Sequence, residues 1–202
     1  MRKKIISLAL LGSIFIGGVQ AHAATINTST DTAATAASNQ NINSLFNTLS
    51  SNNKNNVANT ADNTIVNDQY MAQVEQAIFN KVNEERAKAG VAPLSYNTIM
   101  EKYARIKSQD MGDNNYFSHT DKSGNYITTK MKADGVTYQA WGENIAYIGG
   151  VTDPVALANQ FMTNWMNSEG HKKNILSTDF SSIGVGVYKV GNKVYATQEF
   201  YR

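Results

Sequence analysis

The chain has 202 residues, 42% of them hydrophobic, with a formal net charge of +2 and no cysteine. The absence of cysteine excludes a disulfide-stapled scaffold, so side-chain packing must stabilise the fold. The near balance of charges excludes the strongly basic surface that nucleic-acid binding requires.

The first 23 residues have the pattern of a secretory signal peptide. Three basic residues at positions 2–4 precede an apolar run, 5–19, and Ala21-His22-Ala23 supplies a small-residue cleavage site. The apolar run is shorter than the roughly 20 residues that a membrane-spanning helix needs. We therefore expect cleavage after Ala23, secretion, and no membrane span in the mature chain, whose net charge falls to −1 once three basic residues are removed.

Residues 24–67 form a tract dominated by Asn, Thr, Ser and Ala. Such a composition buries too little apolar surface to offset the loss of chain entropy on folding. We predict a disordered linker here, and a role of the tract in surface attachment stays open as an alternative. The folded part is then a single domain over residues 68–202, which is long enough for one sizeable core.

Apolar periodicity predicts three helices in the first half of this domain. The first begins at the candidate cap Asp68, has apolar residues at steps of three and four over 70–82, and ends near Gly90. The second runs over 97–111 and the third over 126–133, each followed by a glycine.

A fourth helix and a β-hairpin complete the predicted elements. Asp153 is a candidate N-cap, and Pro154 suits the first helical position. Five apolar residues share the face that we expect to be buried, namely Val155, Ala158, Phe161, Met162 and Trp165. The apolar period then changes to two, and Gly191-Asn192 separates two strands over 183–187 and 193–200. Helices followed by an antiparallel hairpin predict an α+β fold.

The mature chain has two histidines, His119 and His171, and both lie in polar segments beside small or turn-forming residues. Glu143 and Glu169 have similar surroundings. Two imidazoles with one or two carboxylates can bind a divalent transition metal or act as acid and base. Structural roles fit the spacing equally well, with Glu143 bracing a loop through backbone N–H groups and His171 fixing the segment that follows it. The residues alone leave both interpretations open.

Ser118 and Ser168 lie next to or near a histidine, which raises the hypothesis of a serine nucleophile. The chain has no Gly-x-Ser-x-Gly segment and no aspartate evidently placed to orient the histidine. A serine triad is therefore disfavoured. Walker, Rossmann and HExxH signatures are also missing from the sequence.

Six segments follow one another in the second part of the chain: NEERAKAGVAPLSYN, YFSHT, WGENIA, NWMNSEGHKKNIL, IGVGVY and YATQEF. In this order they resemble the CAP superfamily in its compact bacterial, SCP-like form, over residues 74–200. The resemblance implies a three-layer α/β/α sandwich with a central antiparallel sheet, and a cleft lined by a His-Glu-Glu-His tetrad. His119, Glu143 and His171 match three of its members. The family's spacing from the helix tryptophan places the fourth at Ser168, and Glu169 follows it by one residue.

Members of this family are secreted or envelope-associated and differ in what they bind, so the fold does not fix the function. We expect a secreted, non-catalytic binding module whose cleft holds a divalent cation, zinc first, through His119 and His171 with help from Glu143. Its ligand is expected to be an extracellular lipid, peptide or envelope component, and the protein a monomer. The alternative is an extracellular hydrolase, a protease or cell-envelope hydrolase, in which Glu143 is the general base.

Removal of residues 24–66 tests the predicted boundary. A protein that starts at Asn67 should unfold cooperatively at the melting midpoint of the mature protein, because the periodic apolar positions begin only near Tyr70. Thermal melts of the two proteins, followed by circular dichroism, make this comparison. A midpoint several degrees lower for the shorter protein would show that the tract packs on the domain.

Overall fold

A computed structural model describes residues 4–5 and 62–202 of the chain, with side chains from residue 69 onward. The predicted signal peptide, apart from residues 4–5, and most of the predicted linker lie outside the described residues. Residues 63–202 belong to one compact unit. Its helices are α1 (Asp62–Lys88), α2 (Thr98–Asp113), α3 (Ile127–Ala133), α4 (Pro154–Met166) and α5 (Glu169–Leu176). The strands are β1 (Lys4–Ile5), β2 (Ser95–Tyr96), β3 (Ala140–Gly149), β4 (Ser182–Val190) and β5 (Lys193–Tyr201).

The described strands form one sheet in the order β1-β3-β5-β4-β2. The three long strands are antiparallel, with Glu199 of the central strand β5 paired with Glu143 on one side and with Gly184 on the other. The two-residue edge strands pair in parallel. The predicted antiparallel sheet is thus confirmed at its centre, whereas the edges make it mixed.

Helices α1, α4 and α5 cover one face of the sheet. Residues 74, 78 and 82 of α1 are fully buried and pack with β4 and β5 residues in the largest core cluster. Trp165 of α4, predicted as a core residue, is 1% exposed and stacks on Phe161 with ring centroids 5.4 Å apart. Its indole Nε1 donates to the carbonyl oxygen of Ile145, 3.3 Å away. No helix within 62–202 combines the length and apolarity that a membrane crossing needs.

Helices α2 and α3 cover the opposite face, which gives the three-layer α/β/α arrangement. Trp141 of β3 packs there with Met100 and Tyr103 of α2 and with Met131 of α3. Successive residues of a strand point to opposite faces, so residues 141, 143 and 145 turn towards α2 while residue 144 turns towards α5. Every residue from 140 to 145 is buried.

Two glycines of β4 allow α2 to lie with its backbone directly against the sheet. A Cβ atom on Gly184 would lie 2.0 Å from the backbone nitrogen of Glu101, and one on Gly186 would lie 2.0 Å from that of Arg105. No side chain fits at either position. Ser108 of α2 adds a hydrogen bond from its Oγ to the carbonyl oxygen of Gly186, 2.8 Å away.

Three sequence predictions need correction. α1 begins at Asp62, six residues before the expected cap Asp68, because no proline or glycine in 62–67 stops a helix from propagating. The segment after α4 is not a loop but the two-turn helix α5, too short to show a period. β3 was missed because both of its faces are buried, which removes the alternation that identifies a strand.

The backbone contact between α2 and β4 predicts a large effect of one methyl group. Gly186→Ala should lower the free energy of unfolding by about 3 kcal/mol or more, the upper end of overpacking effects, because the added carbon meets helix backbone. Urea unfolding measures this. Gly149→Ala is the matched control, since its Cβ would make an ordinary contact of 3.4 Å with Asn192. Equal losses in both variants would contradict the close packing.

Candidate functional site

His119 lies on the loop between α2 and α3, as predicted. Its Nδ1 is 2.5 Å from Oε1 of Glu143, and the exposed fractions of the two side chains are 18% and 1%. The loop is fixed by an antiparallel bridge between Thr120 and Tyr126 and by Asp121, whose Oδ1 accepts backbone N–H groups of residues 123 and 125. The imidazole is therefore held at the surface by a buried carboxylate.

Glu199 lies beside Glu143, as its partner on β5. It is fully buried, and its Oε2 accepts a hydrogen bond from Trp141 Nε1 at 2.6 Å. Burial, the charge of Glu143 and a hydrogen bond to Glu143 raise the pKa of Glu199 well above its usual range. Among the residues that the structure describes, Glu143 Oε2 and Glu199 Oε1 have no hydrogen-bond partner outside this carboxyl pair. Burial beside Glu143 therefore favours the protonated form of Glu199.

Lys107 of α2 places a cation near this acid pair. It is 2% exposed, and its Nζ lies 3.3 Å from the hydroxyl of Tyr116. Burial lowers the pKa of Lys107, while the charges of Glu143 and nearby carboxylates, including Glu199, oppose this effect. The ammonium group thereby balances part of the negative charge that the acid pair carries.

His171 lies in the first turn of α5 and is half-buried. Burial lowers its pKa to about 4, and the charge of His119 acts in the same direction. The two imidazoles are therefore electrostatic neighbours. His171 Nδ1 is buried and has no hydrogen-bond partner among the described residues. The ring is neutral at pH 7 with one nitrogen free.

The structure does not bring Glu169 into this group. Glu169 is exposed on the first turn of α5, and its carboxylate makes no hydrogen bond or ion pair within residues 69–202. Ser168 occupies the N-cap position of α5 without a capping hydrogen bond from its side chain. We call His119, Glu143, Glu199 and His171 the His–Glu site. In the described part of the chain no three His, Asp or Glu side chains are arranged to hold a metal ion.

Sequence reasoning missed Glu199 and the amide side chains behind the site. Asn144, Asn174 and Gln198 are buried and hydrogen-bonded to one another. The signal in the sequence was Gln198-Glu199, two large polar residues in succession inside a strand whose residues are mostly apolar or aromatic. A strand buried on both faces must place such a pair in the interior, one on each side.

An exposed aromatic pair adjoins the His–Glu site. Phe117, two residues before His119, meets Tyr147 of β3 edge to face with ring centroids 5.2 Å apart. Both side chains are about 40% exposed. Tyr147 shares the α2 face of β3 with Glu143, and the Lys193 ammonium lies 5.3 Å from its ring centroid. Exposed aromatic side chains of this kind are enriched at contact surfaces.

Comparison with known proteins gives a consistent result. Residues 79–200 match the profile of the family described as CAP, the cysteine-rich secretory protein family. The chain is 41% identical over 126 residues to the uncharacterised protein YkwD of Bacillus subtilis (strain 168), which covers 62% of this chain and 46% of the relative. It is 37% identical over 128 residues to the uncharacterised membrane protein YlbC of the same organism, covering 63% of this chain and 34% of that one. The chain thus spans less than half the length of these relatives.

Solved structures show the same fold. An extracellular protein of Bacillus anthracis str. Ames that contains an SCP domain superposes with a TM-score of 0.56 at 32% identity, covering 73% of this chain and 45% of that one. An outer surface protein of Borrelia burgdorferi superposes with a TM-score of 0.52 at 21% identity, covering 64% of this chain and 92% of that one. The second likeness concerns the fold alone.

The lowered pKa of His171 predicts how the stability of the metal-free protein depends on pH. The imidazole binds its proton near pH 6.5 when the chain is unfolded and near pH 4 when it is folded. Its contribution to stability is therefore complete above pH 6.5 and is lost as the pH falls towards 4. Urea unfolding in EDTA should show a shallower pH dependence over this range in His171→Asn than in the wild type. Identical slopes would contradict the burial of a neutral imidazole.

Proposed function

Because the chain belongs to the CAP, or cysteine-rich secretory protein, family, we propose that it is a secreted binding module whose His–Glu site holds a divalent cation, zinc first. One observation carries the proposal: the His119–Glu143 pair lies near a second imidazole, whose buried Nδ1 has no hydrogen-bond partner within the described residues. A buried polar atom without a partner is uncommon in proteins, and a role as a metal ligand accounts for it.

The chemistry of the donor set fits a cation such as zinc. Ligating histidines commonly donate their other ring N–H to a carboxylate, which orients the ring. With its proton on Nδ1, His119 donates to Glu143 and presents Nε2 to the cation. His171 supplies a second nitrogen, and its lowered pKa keeps that nitrogen unprotonated at neutral pH. Imidazole nitrogen suits zinc, and two protein ligands leave positions for water or for oxygen atoms of a bound ligand.

Binding is favoured over hydrolysis by the environment of Glu143. As general base it would need a free carboxylate, yet one of its oxygens contacts His119 and the other lies beside Glu199. Ser118 is exposed, and its Oγ shares a hydrogen bond with Thr120 rather than with His119. The exposed pair Phe117 and Tyr147 offers contact area for an extracellular lipid, peptide or envelope component next to the cation.

Secretion is the second part of the proposal. The first 23 residues have the signal-peptide pattern, and the Bacillus anthracis relative is named an extracellular protein. We propose that residues 1–23 are removed and that the Asn/Thr/Ser/Ala-rich tract up to α1 acts as a spacer. One Bacillus subtilis relative is named a membrane protein, and detection of this chain in the culture medium separates release from membrane attachment.

Zinc titration of the mature protein tests the cation site. His119→Ala and His171→Ala should each remove most of the affinity, and the double variant should lose little more, because two ligands of one ion are not additive. Zinc should raise the melting temperature of the wild type and leave the single variants nearly unchanged. Isothermal titration calorimetry at pH 7.5 and thermal melts measure both effects.

The exposed Glu169 provides the discriminating variant for this titration. Glu169→Gln should change the zinc affinity little, because its carboxylate makes no contact with the His–Glu site. A loss as large as that of His171→Ala would favour the four-residue tetrad that the family resemblance implies. The absence of wild-type binding at millimolar zinc would refute the cation site.

A further inference from the structure

A buried link of amide side chains joins α5 to β3 behind the His–Glu site. Asn144 Nδ2 donates to the carbonyl oxygen of His171 at 3.1 Å and to Gln198 Oε1 at 2.9 Å. Asn174 Nδ2 donates to the carbonyl oxygen of Glu143 at 3.3 Å and to Asn144 Oδ1 at 2.9 Å. The link therefore ends on the backbones of two residues of the site, Glu143 and His171.

We propose that Asn144 and Asn174 are positioning residues that set the distance between His171 and the His119–Glu143 pair. The proposal rests on the proposed function, because the distance matters for a cation held by both imidazoles. His119 reaches Glu143 on the α2 face of β3, whereas α5 packs on the other face. Because Glu143 belongs to β3, a link that fixes α5 on β3 also fixes His171 relative to the His119–Glu143 pair.

The burial of the link gives it rigidity. Asn144 and Gln198 are 0% exposed and Asn174 is 6% exposed, so water does not compete for their hydrogen bonds. A buried donor that loses its acceptor is left unsatisfied at a cost in free energy, which opposes any displacement of α5 that breaks one of these bonds. Directional bonds of this kind define a single arrangement more sharply than apolar packing does.

The far end of α5 is held by a different group. Arg86 of α1 is 2% exposed, and its Nη1 donates to the carbonyl oxygens of Ile175 and Ser177 at 2.7 and 2.8 Å. Those residues lie at the end of α5 remote from His171. The orientation of the first turn, which carries His171, therefore depends on Asn144.

Zinc affinity tests the positioning role. Metal–ligand distances vary by only about 0.2 Å around their usual values. The loss of residues that orient the ligands weakens metal binding by about 10–100-fold. Asn144→Ala should show a loss in this range by calorimetry at a temperature where the protein is fully folded. Ser108→Ala is the matched control, since Ser108 is also 0% exposed and hydrogen-bonded but lies between α2 and β4. It should lose stability and keep the zinc affinity of the wild type.

The outcomes separate this proposal from the proposed function. If the wild type binds zinc and Asn144→Ala binds within threefold as tightly, the positioning role is overturned. If the wild type binds no zinc, the cation site fails, and amide hydrogen exchange decides whether the link holds α5. Faster exchange confined to residues 172–176 in Asn144→Ala supports the link, and unchanged exchange overturns it. Asn174→Ala, at the more exposed end of the link, replaces Asn144→Ala under the same criteria if that variant does not fold.

Discussion

The close approach of α2 to β4 is the constraint on which the functional part of the molecule depends. A helix whose backbone contacts a strand lies at a fixed distance from the sheet, because no side chain lies between them whose repacking could change that distance. The loop that leaves α2 therefore begins from a fixed point, and His119 reaches Glu143 without further adjustment.

The centre of the sheet is polar, which is costly in a buried layer unless every group has a partner. Most of these groups do: Trp141 bonds Glu199, and Asn144 bonds Gln198. The buried side-chain atoms that lack a partner within the described residues are Glu143 Oε2, His171 Nδ1 and Glu199 Oε1. All three belong to the His–Glu site. This concentration of buried atoms without partners supports the proposal that the His–Glu site binds a ligand.

The sequence predicted the elements whose apolar residues recur with a regular helical or strand period. The cap Asp153 of α4 and the hairpin around Gly191-Asn192 were predicted correctly. Four of the five apolar residues expected on the buried face of α4 are buried, whereas Val155 is half-buried and Leu157, which was not predicted, is buried instead. β3 and α5 were not predicted, because one is buried on both faces and the other has only two turns. Those two elements carry Glu143 and His171, so the site residues were recognised while their local structure was misassigned.

The sequence identified the histidines of the site but not the buried carboxyl group that lies behind them. Residue types and order drew attention to His119, Glu143 and His171, but Glu199 entered only when strand register placed it beside Glu143. Register depends on long-range pairing, which a local pattern does not contain. For the same reason the exposed position of Glu169 could not be inferred from its place beside Gly170.

The two tryptophans of the chain divide between the two faces of the sheet, and this gives the protein a built-in optical probe. The indole of Trp141 bonds the acid pair through Glu199, whereas that of Trp165 bonds a backbone carbonyl in the opposite core. An event that changes the charge beside Glu143 acts directly on the surroundings of the first indole and reaches the second only through the backbone of β3. Intrinsic fluorescence of this protein therefore contains both a reporter of the site and its internal reference, and replacing either tryptophan by phenylalanine separates the two signals.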